Sequence, residues 1–146
     1  LPGTFGSLAT LIFLFVCFHI LNISSNIIFI ILVIVFVYSF IAIKNYTVNN
    51  ENKDPEEIII DEFIGQAIPI YLYEISHGTE KTMDQALIIY TVCFILFRFF
   101  DILKPFPVSY FDKKHKNSFG VVMDDVCAGL YVVLSLICFM ILKSLI

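Results

Sequence analysis

Five apolar runs separated by polar segments dominate the sequence. Most of these runs carry almost no charge, whereas the third holds Asp61, Glu62 and Gln66 among its apolar positions. The runs lie at residues 8–21, 27–43, 58–75, 86–100 and 126–142. Because a lone apolar strand cannot satisfy its backbone hydrogen bonds in lipid, the runs predict membrane helices. Asp54 and Pro55 before the third run are typical of an N-cap and a first helical turn.

Composition agrees with a membrane location. Hydrophobic residues make up 59% and charged residues 15% of the 146 residues, and the mean hydropathy is +0.90. Soluble domains carry roughly a quarter charged residues. The 13 Asp and Glu residues outnumber the 9 Lys and Arg residues, so no basic surface for nucleic acid is expected. We therefore expect one domain over residues 1–146, an all-α polytopic membrane helical bundle of about five hydrophobic helices.

The distribution of lysines predicts how this bundle is oriented. If the chain crosses at each run, residues 1–7, 44–57 and 101–125 share one face, and residues 22–26 and 76–85 share the other. The first face holds Lys44, Lys53, Lys104, Lys113, Lys114 and Lys116. The second holds Lys81 and, near the C-terminus, Lys143. The positive-inside rule then puts the first face, which also holds nearly all the acids, in the cytoplasm.

The third helix presents acids on one side. Asp54, Glu57 and Asp61 are spaced i, i+3 and i+7, which puts them on one helical face, where like charges repel. Asp61 and Glu62 also lie within an apolar stretch, where ionised groups are costly and usually functional. A divalent cation would offset both costs, and oxygen ligands without a histidine or cysteine pair favour Mg²⁺. The alternative is a solvated helix start whose acids serve as caps.

Three further acids approach the same face from other parts of the chain. Asp124 and Asp125 precede the last apolar run, where N-capping is the alternative function. Asp101 ends the fourth helix, where negative charge opposes the helix dipole. Asp101 therefore needs a partner, and a metal ion or Arg98 is the expected one.

Cationic and hydroxyl side chains near these acids suit phosphate recognition. Arg98 and Lys104 bracket Asp101, and they could bind phosphate or simply pair with the acids. Thr4 and Ser7 belong to a glycine-containing segment before the first run. There, backbone amides and hydroxyls could bind an anion at a helix N-terminus, although a flexible entry segment explains the pattern equally well.

Four short blocks carry a family resemblance. They are Pro2-Gly3-Thr4-x-Gly6-Ser7, Asp54-Pro55-x-Glu57-Ile58-x-Ile60-Asp61-Glu62-x-x-Gly65, Phe97-Arg98-x-Phe100-Asp101-x-x-Lys104-Pro105-x-Pro107 and Gly120-Val121-x-Met123-Asp124-Asp125-x-x-Ala128-Gly129. In this order the blocks resemble the phosphatidylglycerophosphatase A family. The resemblance implies an all-helical, Mg²⁺-dependent membrane phosphatase. Its substrate would be phosphatidylglycerophosphate, its products phosphatidylglycerol and phosphate, and its location the bacterial inner membrane.

The resulting hypothesis is a carboxylate cage for one or two Mg²⁺ ions. Its metal ligands are expected among Asp54, Glu57, Asp61, Asp124 and Asp125. The catalytic acids are expected among Asp61, Glu62, Asp101 and Asp125, one of which accepts a proton from the attacking water. The substrate-binding residues are expected to be Thr4, Ser7, Arg98 and Lys104, of which Arg98 and Lys104 neutralise charge on the phosphoryl group.

Two other functions stay open at the level of sequence. Acids within apolar helices also mark cation pathways, so a membrane transporter or channel is the main alternative. That function predicts acids spread along a path, whereas the middles of runs 8–21, 27–43 and 126–142 hold none. A lipid phosphotransferase with a CDP-linked donor is the second alternative, but its Asp-Gly…Ala-Arg signature is missing from the sequence. No oligomeric state is predicted.

Overall fold

The computed structural model of the chain describes residues 2–49, 59–78, 81–114 and 117–146. Six α-helices occupy these ranges, and a short π-helix extends the first of them. The elements are α1 (Pro2–Phe15) with the π-helix Val16–Ile20, α2 (Ser25–Asn49), α3 (Ile60–His77), α4 (Met83–Leu103), α5 (Val108–Lys114) and α6 (Ser118–Leu145). The described ranges contain no β-strand, so the predicted all-α class is confirmed.

Four of the described helical segments are long and apolar enough to cross a membrane. They are Pro2–Ile20, Ser25–Val48, Met83–Leu103 and Ser118–Leu145. Large apolar side chains on their outer faces are exposed, among them Ile34, Ile88 and Phe139 at 61%, 62% and 65%. Surfaces of this kind need lipid rather than water around them. The chain is therefore a helical membrane bundle, as the sequence predicts.

The other helices pack around α3. This helix makes its most extensive contacts with α6 and α1, and it also contacts α2 and α4. Its buried residues include the polar side chains Asp61, Gln66 and Glu74, and it is not one of the four apolar segments. Polar side chains at membrane depth are tolerated where protein surrounds them. The central position of α3 follows from its composition.

Two glycines bring the backbones of α3 and α6 into contact. A Cβ atom on Gly65 would lie 2.5 Å from the carbonyl oxygen of Asp125, and one on Gly129 would overlap the carbonyl oxygen of Gly65. Small residues permit this kind of close approach between membrane helices. The contact fixes the register of α6 against α3, so that the first turn of α3 meets the Asp125 segment of α6.

The start of α6 differs from the sequence prediction. Asn117, not an aspartate, is the N-cap residue, and its side chain accepts a hydrogen bond from the backbone N–H of Gly120 at 3.0 Å. Asp124 and Asp125 lie nearly two turns inside the helix. Their predicted alternative role as N-caps is therefore wrong. The polar segment 101–125 was predicted as a loop, but it contains α5 and the beginning of α6.

Two other helix starts also differ from the prediction. α1 begins at Pro2, so the segment that includes Thr4 and Ser7 forms its first turns rather than a loop before it. α3 begins at Ile60, two residues after the predicted start of the third run. The predicted N-cap and first-turn pair, Asp54 and Pro55, lies outside the described residues.

We expect Gly129→Ala to destabilise the bundle. The added methyl group overlaps the Gly65 carbonyl oxygen and has no flexible side chain to displace, so α6 must move away from α3. Overpacking of this kind costs about 1–3 kcal/mol. Thermal unfolding of the purified protein in detergent measures the effect. Ala9→Val adds two methyl groups at an exposed position of α1 and serves as the control. Equal unfolding temperatures for the two variants would contradict the proposed helix contact.

Candidate functional site

The first turn of α3 contributes two acids to one end of the bundle. Asp61 is buried, and its Oδ1 accepts a hydrogen bond from the backbone N–H of Glu62 at 3.0 Å. The residue before the helix, Ile59, provides no side-chain cap. Carboxylates in the first turn interact favourably with the helix dipole. The helix start therefore stabilises Asp61 where burial alone would oppose its charge.

α6 brings two more buried acids to the same place. Asp124 and Asp125 are 8% and 4% exposed. The carboxyl groups of Asp61 and Asp125 interact directly, and Asp124 lies within electrostatic range of both. The Gly65–Gly129 contact produces this meeting, because it lets the two helices approach at the level of Asp125. The predicted convergence of acids from distant parts of the chain is present for these three residues.

Arg98 on α4 joins the cluster through ion pairs. Its Nη1 lies 2.8 Å from Asp101 Oδ2 and 3.5 Å from Glu62 Oε1. Arg98 is thus the partner that Asp101 needs at the end of α4. These contacts do not have hydrogen-bond geometry, since Arg98 Nη1 is buried without a hydrogen-bond partner. The second carboxylate oxygen of Glu62, Oε2, is also buried without one. An entering phosphate or cation could satisfy such atoms.

Lys104 lies at the edge of the cluster and is held by two acids. It ends α4 in the left-handed backbone region, with φ of 46°. Its Nζ donates to Asp112 Oδ1 at 2.5 Å and lies 3.5 Å from Asp124 Oδ2. Burial lowers the pKa of Lys104, but the hydrogen bond to Asp112 and the charges of Asp124 and Asp101 outweigh it and raise the pKa. The ammonium group therefore stays protonated beside Asp124.

Asp112 is a member of this cluster that the sequence did not predict. It lies in a segment that was interpreted as a loop, but α5 carries it back toward Lys104 and packs against α6. Pro105 and Pro107 mark the end of α4 and the start of a new element. That pattern could have indicated a short helix there, although not which of its side chains meets Lys104.

Thr4 and Ser7 occupy positions that differ from the predicted anion loop. Ser7 is fully buried, and its hydroxyl donates to the carbonyl oxygen of Gly3 at 3.0 Å, so its proton is not directed at a ligand. Thr4 is half-buried in the first turns of α1. Gly3 and Gly6 instead accommodate Glu62, since a Cβ atom on Gly3 would overlap the Glu62 carboxylate and one on Gly6 would lie 2.8 Å from Glu62 Oε2.

Of the five predicted metal ligands, the structure describes Asp61, Asp124 and Asp125. Asp54 and Glu57 lie outside the described residues. Within the described part of the chain, no three carboxylate, imidazole or thiol side chains are arranged to hold one metal ion. Two cations of that part, Arg98 and Lys104, lie at this end together with six carboxyl groups: Asp61, Glu62, Asp101, Asp112, Asp124 and Asp125. The described cluster therefore holds more acidic than basic groups.

Comparison with known proteins identifies the group to which this arrangement belongs. The family model for phosphatidylglycerophosphatase A matches residues 1–140. A phosphatidylglycerophosphatase A of Haemophilus influenzae is 36% identical over 133 residues, which cover 91% of this chain and 75% of that protein. A provisionally named phosphatidylinositol-3-phosphatase of Bacteroides thetaiotaomicron is 30% identical over 131 residues, or 89% of this chain and 77% of that protein.

A third relative, the phosphatidylglycerophosphatase A of Escherichia coli, is 28% identical over 129 residues, which cover 88% of this chain and 67% of that protein. No solved structure is a significant match. The family match covers almost the whole chain, including the buried acids of α3 and α6 and the cations of the α4 end. The chain therefore belongs to the phosphatidylglycerophosphatase A family and is a phosphatase.

Proposed function

We propose that this enzyme hydrolyses phosphatidylglycerophosphate to phosphatidylglycerol and inorganic phosphate. One observation carries the proposal. Buried aspartates from α3 and α6 meet at one end of a membrane bundle, where Lys104 lies 3.5 Å from Asp124 and Arg98 pairs with the neighbouring Glu62. Cations bind the phosphoryl oxygens and acids handle protons, and phosphate-ester hydrolysis needs both. The family's name and the names of two relatives support the substrate.

The residue roles follow from the contacts. Arg98 binds phosphate oxygens through its Nη1 group, which lacks a hydrogen-bond partner, and Lys104 adds a point charge 3.5 Å from Asp124. One carboxylate of the Asp61–Asp125 pair accepts a proton as a water oxygen attacks phosphorus. The bond from phosphorus to the glycerol oxygen breaks, and the leaving oxygen takes up a proton from the surrounding acids. Glu62 and Asp101 hold Arg98 in place.

Mg²⁺ is the proposed cofactor. Mg²⁺ usually keeps several waters and takes only one or two carboxylates, with substrate phosphate completing its shell. The Asp61–Asp125 pair with Asp124 beside it meets that need, and the donor atoms are all oxygen, as this ion prefers. Asp54 and Glu57 are proposed as further ligands. When bound, the ion would withdraw charge from the phosphoryl group and activate water.

The active end is proposed to face the cytoplasm of a bacterial inner membrane. Most lysines of the chain belong to segments predicted for this end, and such an excess marks the cytoplasmic side. Apolar outer faces leave the acyl chains of the substrate in lipid while its headgroup reaches the acids. The transporter alternative is set aside because the chain belongs to a phosphatase family.

We expect Asp61→Asn and Asp125→Asn each to lower phosphate release from phosphatidylglycerophosphate by at least about a hundredfold. Each amide removes a proton acceptor and an anionic oxygen from the buried pair. Initial rates in detergent measure the effect, and circular dichroism checks the fold. Asp84→Asn changes an exposed acid in the first turn of α4 and is the matched control. Full activity in either buried variant would refute the proposed site.

Removal of divalent cations should abolish activity. We expect EDTA to stop phosphate release and Mg²⁺ to restore it, because the acids at this end outnumber the cations that accompany them. Parallel assays with phosphatidic acid and phosphatidylinositol-3-phosphate test the headgroup, since one relative carries a phosphatidylinositol-3-phosphatase name. Preference for either lipid over phosphatidylglycerophosphate would replace the proposed substrate, and activity in EDTA would exclude the proposed cofactor.

Asp112 is expected to act as a positioning residue for Lys104. Asp112→Asn weakens the 2.5 Å ion pair and leaves Lys104 to pair more closely with Asp124. We expect KM to rise about tenfold with a smaller change in kcat, since phosphate binding loses an oriented cation. Asp112→Glu keeps the charge and should restore most of the affinity. A loss that Asp112→Glu shares fully would show a merely structural role.

A further inference from the structure

The end of the bundle opposite the aspartates holds a second buried polar cluster, built on Glu74 of α3. Glu74 is 7% exposed, and three side chains contact its carboxylate. His19 Nε2 lies 2.9 Å from Oε1, the Tyr90 hydroxyl donates to Oε1 at 3.0 Å, and Lys81 Nζ donates to Oε2 at 2.6 Å. The phosphatase chemistry uses none of these groups. The cluster fixes the ammonium group of Lys81, whose side chain is 5% exposed.

A cavity of about 450 Å³ lies beside this cluster, between the C-terminal parts of α3 and α6 and the start of α4. Its volume falls within the range of small-molecule sites. The polar residues that line it are Tyr73, His77, Lys81, Gln85 and Lys143, and the apolar ones are Ile88, Ile89, Leu136, Phe139 and Met140. The wall is therefore amphipathic, with polar groups from three helix ends and apolar groups from α4 and α6.

Both lysines predicted for this face of the membrane line the same cavity. Lys81 and Lys143 are 62 positions apart in the sequence, and the other seven basic residues are assigned to the opposite face or its helix ends. The charge of Lys81 is balanced by Glu74, and its Nζ also lies 4.4 Å from the ring centre of Tyr73. Within the described part of the chain, Lys143 has no ion pair that would balance its charge.

We propose that this cavity binds an anionic glycerophospholipid from the leaflet opposite the active site. Its phosphate lies between Lys143 and Lys81, and an acyl chain follows the apolar wall formed by Leu136, Phe139 and Met140. The cavity adds one uncompensated positive charge to an apolar wall, and an anionic lipid complements both. A lipid whose headgroup carries an ammonium would place that positive charge against Lys143. Free phosphate would leave the apolar wall without a binding partner.

The test measures lipid binding to the full chain in detergent. Native mass spectrometry follows the uptake of phosphatidylglycerol and of phosphatidylcholine with the same acyl chains. We expect the wild type to prefer phosphatidylglycerol, and Lys143→Gln to weaken that binding about fivefold, the effect of one lysine near an anionic lipid. Leu136→Trp should reduce uptake of both lipids by filling the cavity. Lys44→Gln changes an exposed lysine near the C-terminal end of α2, away from the cavity, and is the matched control.

Two results would overturn the proposal. Equal uptake by the wild type, Lys143→Gln and Leu136→Trp would show that the cavity does not bind the lipid. Displacement of bound phosphatidylglycerol by inorganic phosphate, with no effect of Leu136→Trp, would show an anion site instead. Lys143 is not part of the active site, so Lys143→Gln should keep full phosphate release. The binding result therefore stands apart from the outcome for the proposed substrate.

Discussion

The backbone contact between α3 and α6 is the constraint on which the proposed active site depends. Gly65 and Gly129 remove the side chains that would hold the two helices apart, and the Asp125 carbonyl oxygen lies only 2.5 Å from where a Cβ of Gly65 would be. Asp61 and Asp125 meet because the helices meet at that level. The cost of gathering acids is electrostatic, and close helix packing supplies the van der Waals contact that opposes it. A small residue is thus as necessary to the site as a charged one.

Much of the acidic cluster at the proposed active site could be predicted from the sequence. Acids placed within an apolar run are informative because burial makes them costly, and this identified Asp61 and Glu62. Asp101 was identified by its unfavourable position at a helix C-terminus, and Asp125 by its position before the last apolar run. The positions at which helices begin were harder to predict from the sequence. Asn117 is an ordinary N-cap, but the two aspartates that follow it also suit that role, and no rule of composition separates them. With the start of α6 placed too late, residues 101–125 were predicted as a loop, so neither α5 nor the contact of Asp112 with Lys104 was predicted.

Long-range partners explain the remaining misses. Glu74 lies among apolar residues of α3, and its carboxylate is buried because His19 and Tyr90, from two other helical segments, contact it. Likewise, Gly3 and Gly6 suit an anion-binding segment by sequence, and the anion that lies against them is the carboxylate of Glu62. Spacing along the chain reports which residues share a helical face, but it does not report which element packs against that face.

The two ends of α3 differ in how their buried acids are compensated. Glu74 receives contacts from three side chains, one of them a lysine, so its end needs no further ligand for its carboxylate. Asp61 contacts another acid, and Glu62 nearby keeps an oxygen without a hydrogen-bond partner. Leaving a buried polar atom without a hydrogen bond costs more free energy than a typical hydrogen bond contributes. Such an atom in a native structure therefore suggests that a ligand supplies the missing partner. This asymmetry supports the proposal that one end of the helix holds the active site, while the other end anchors Lys81.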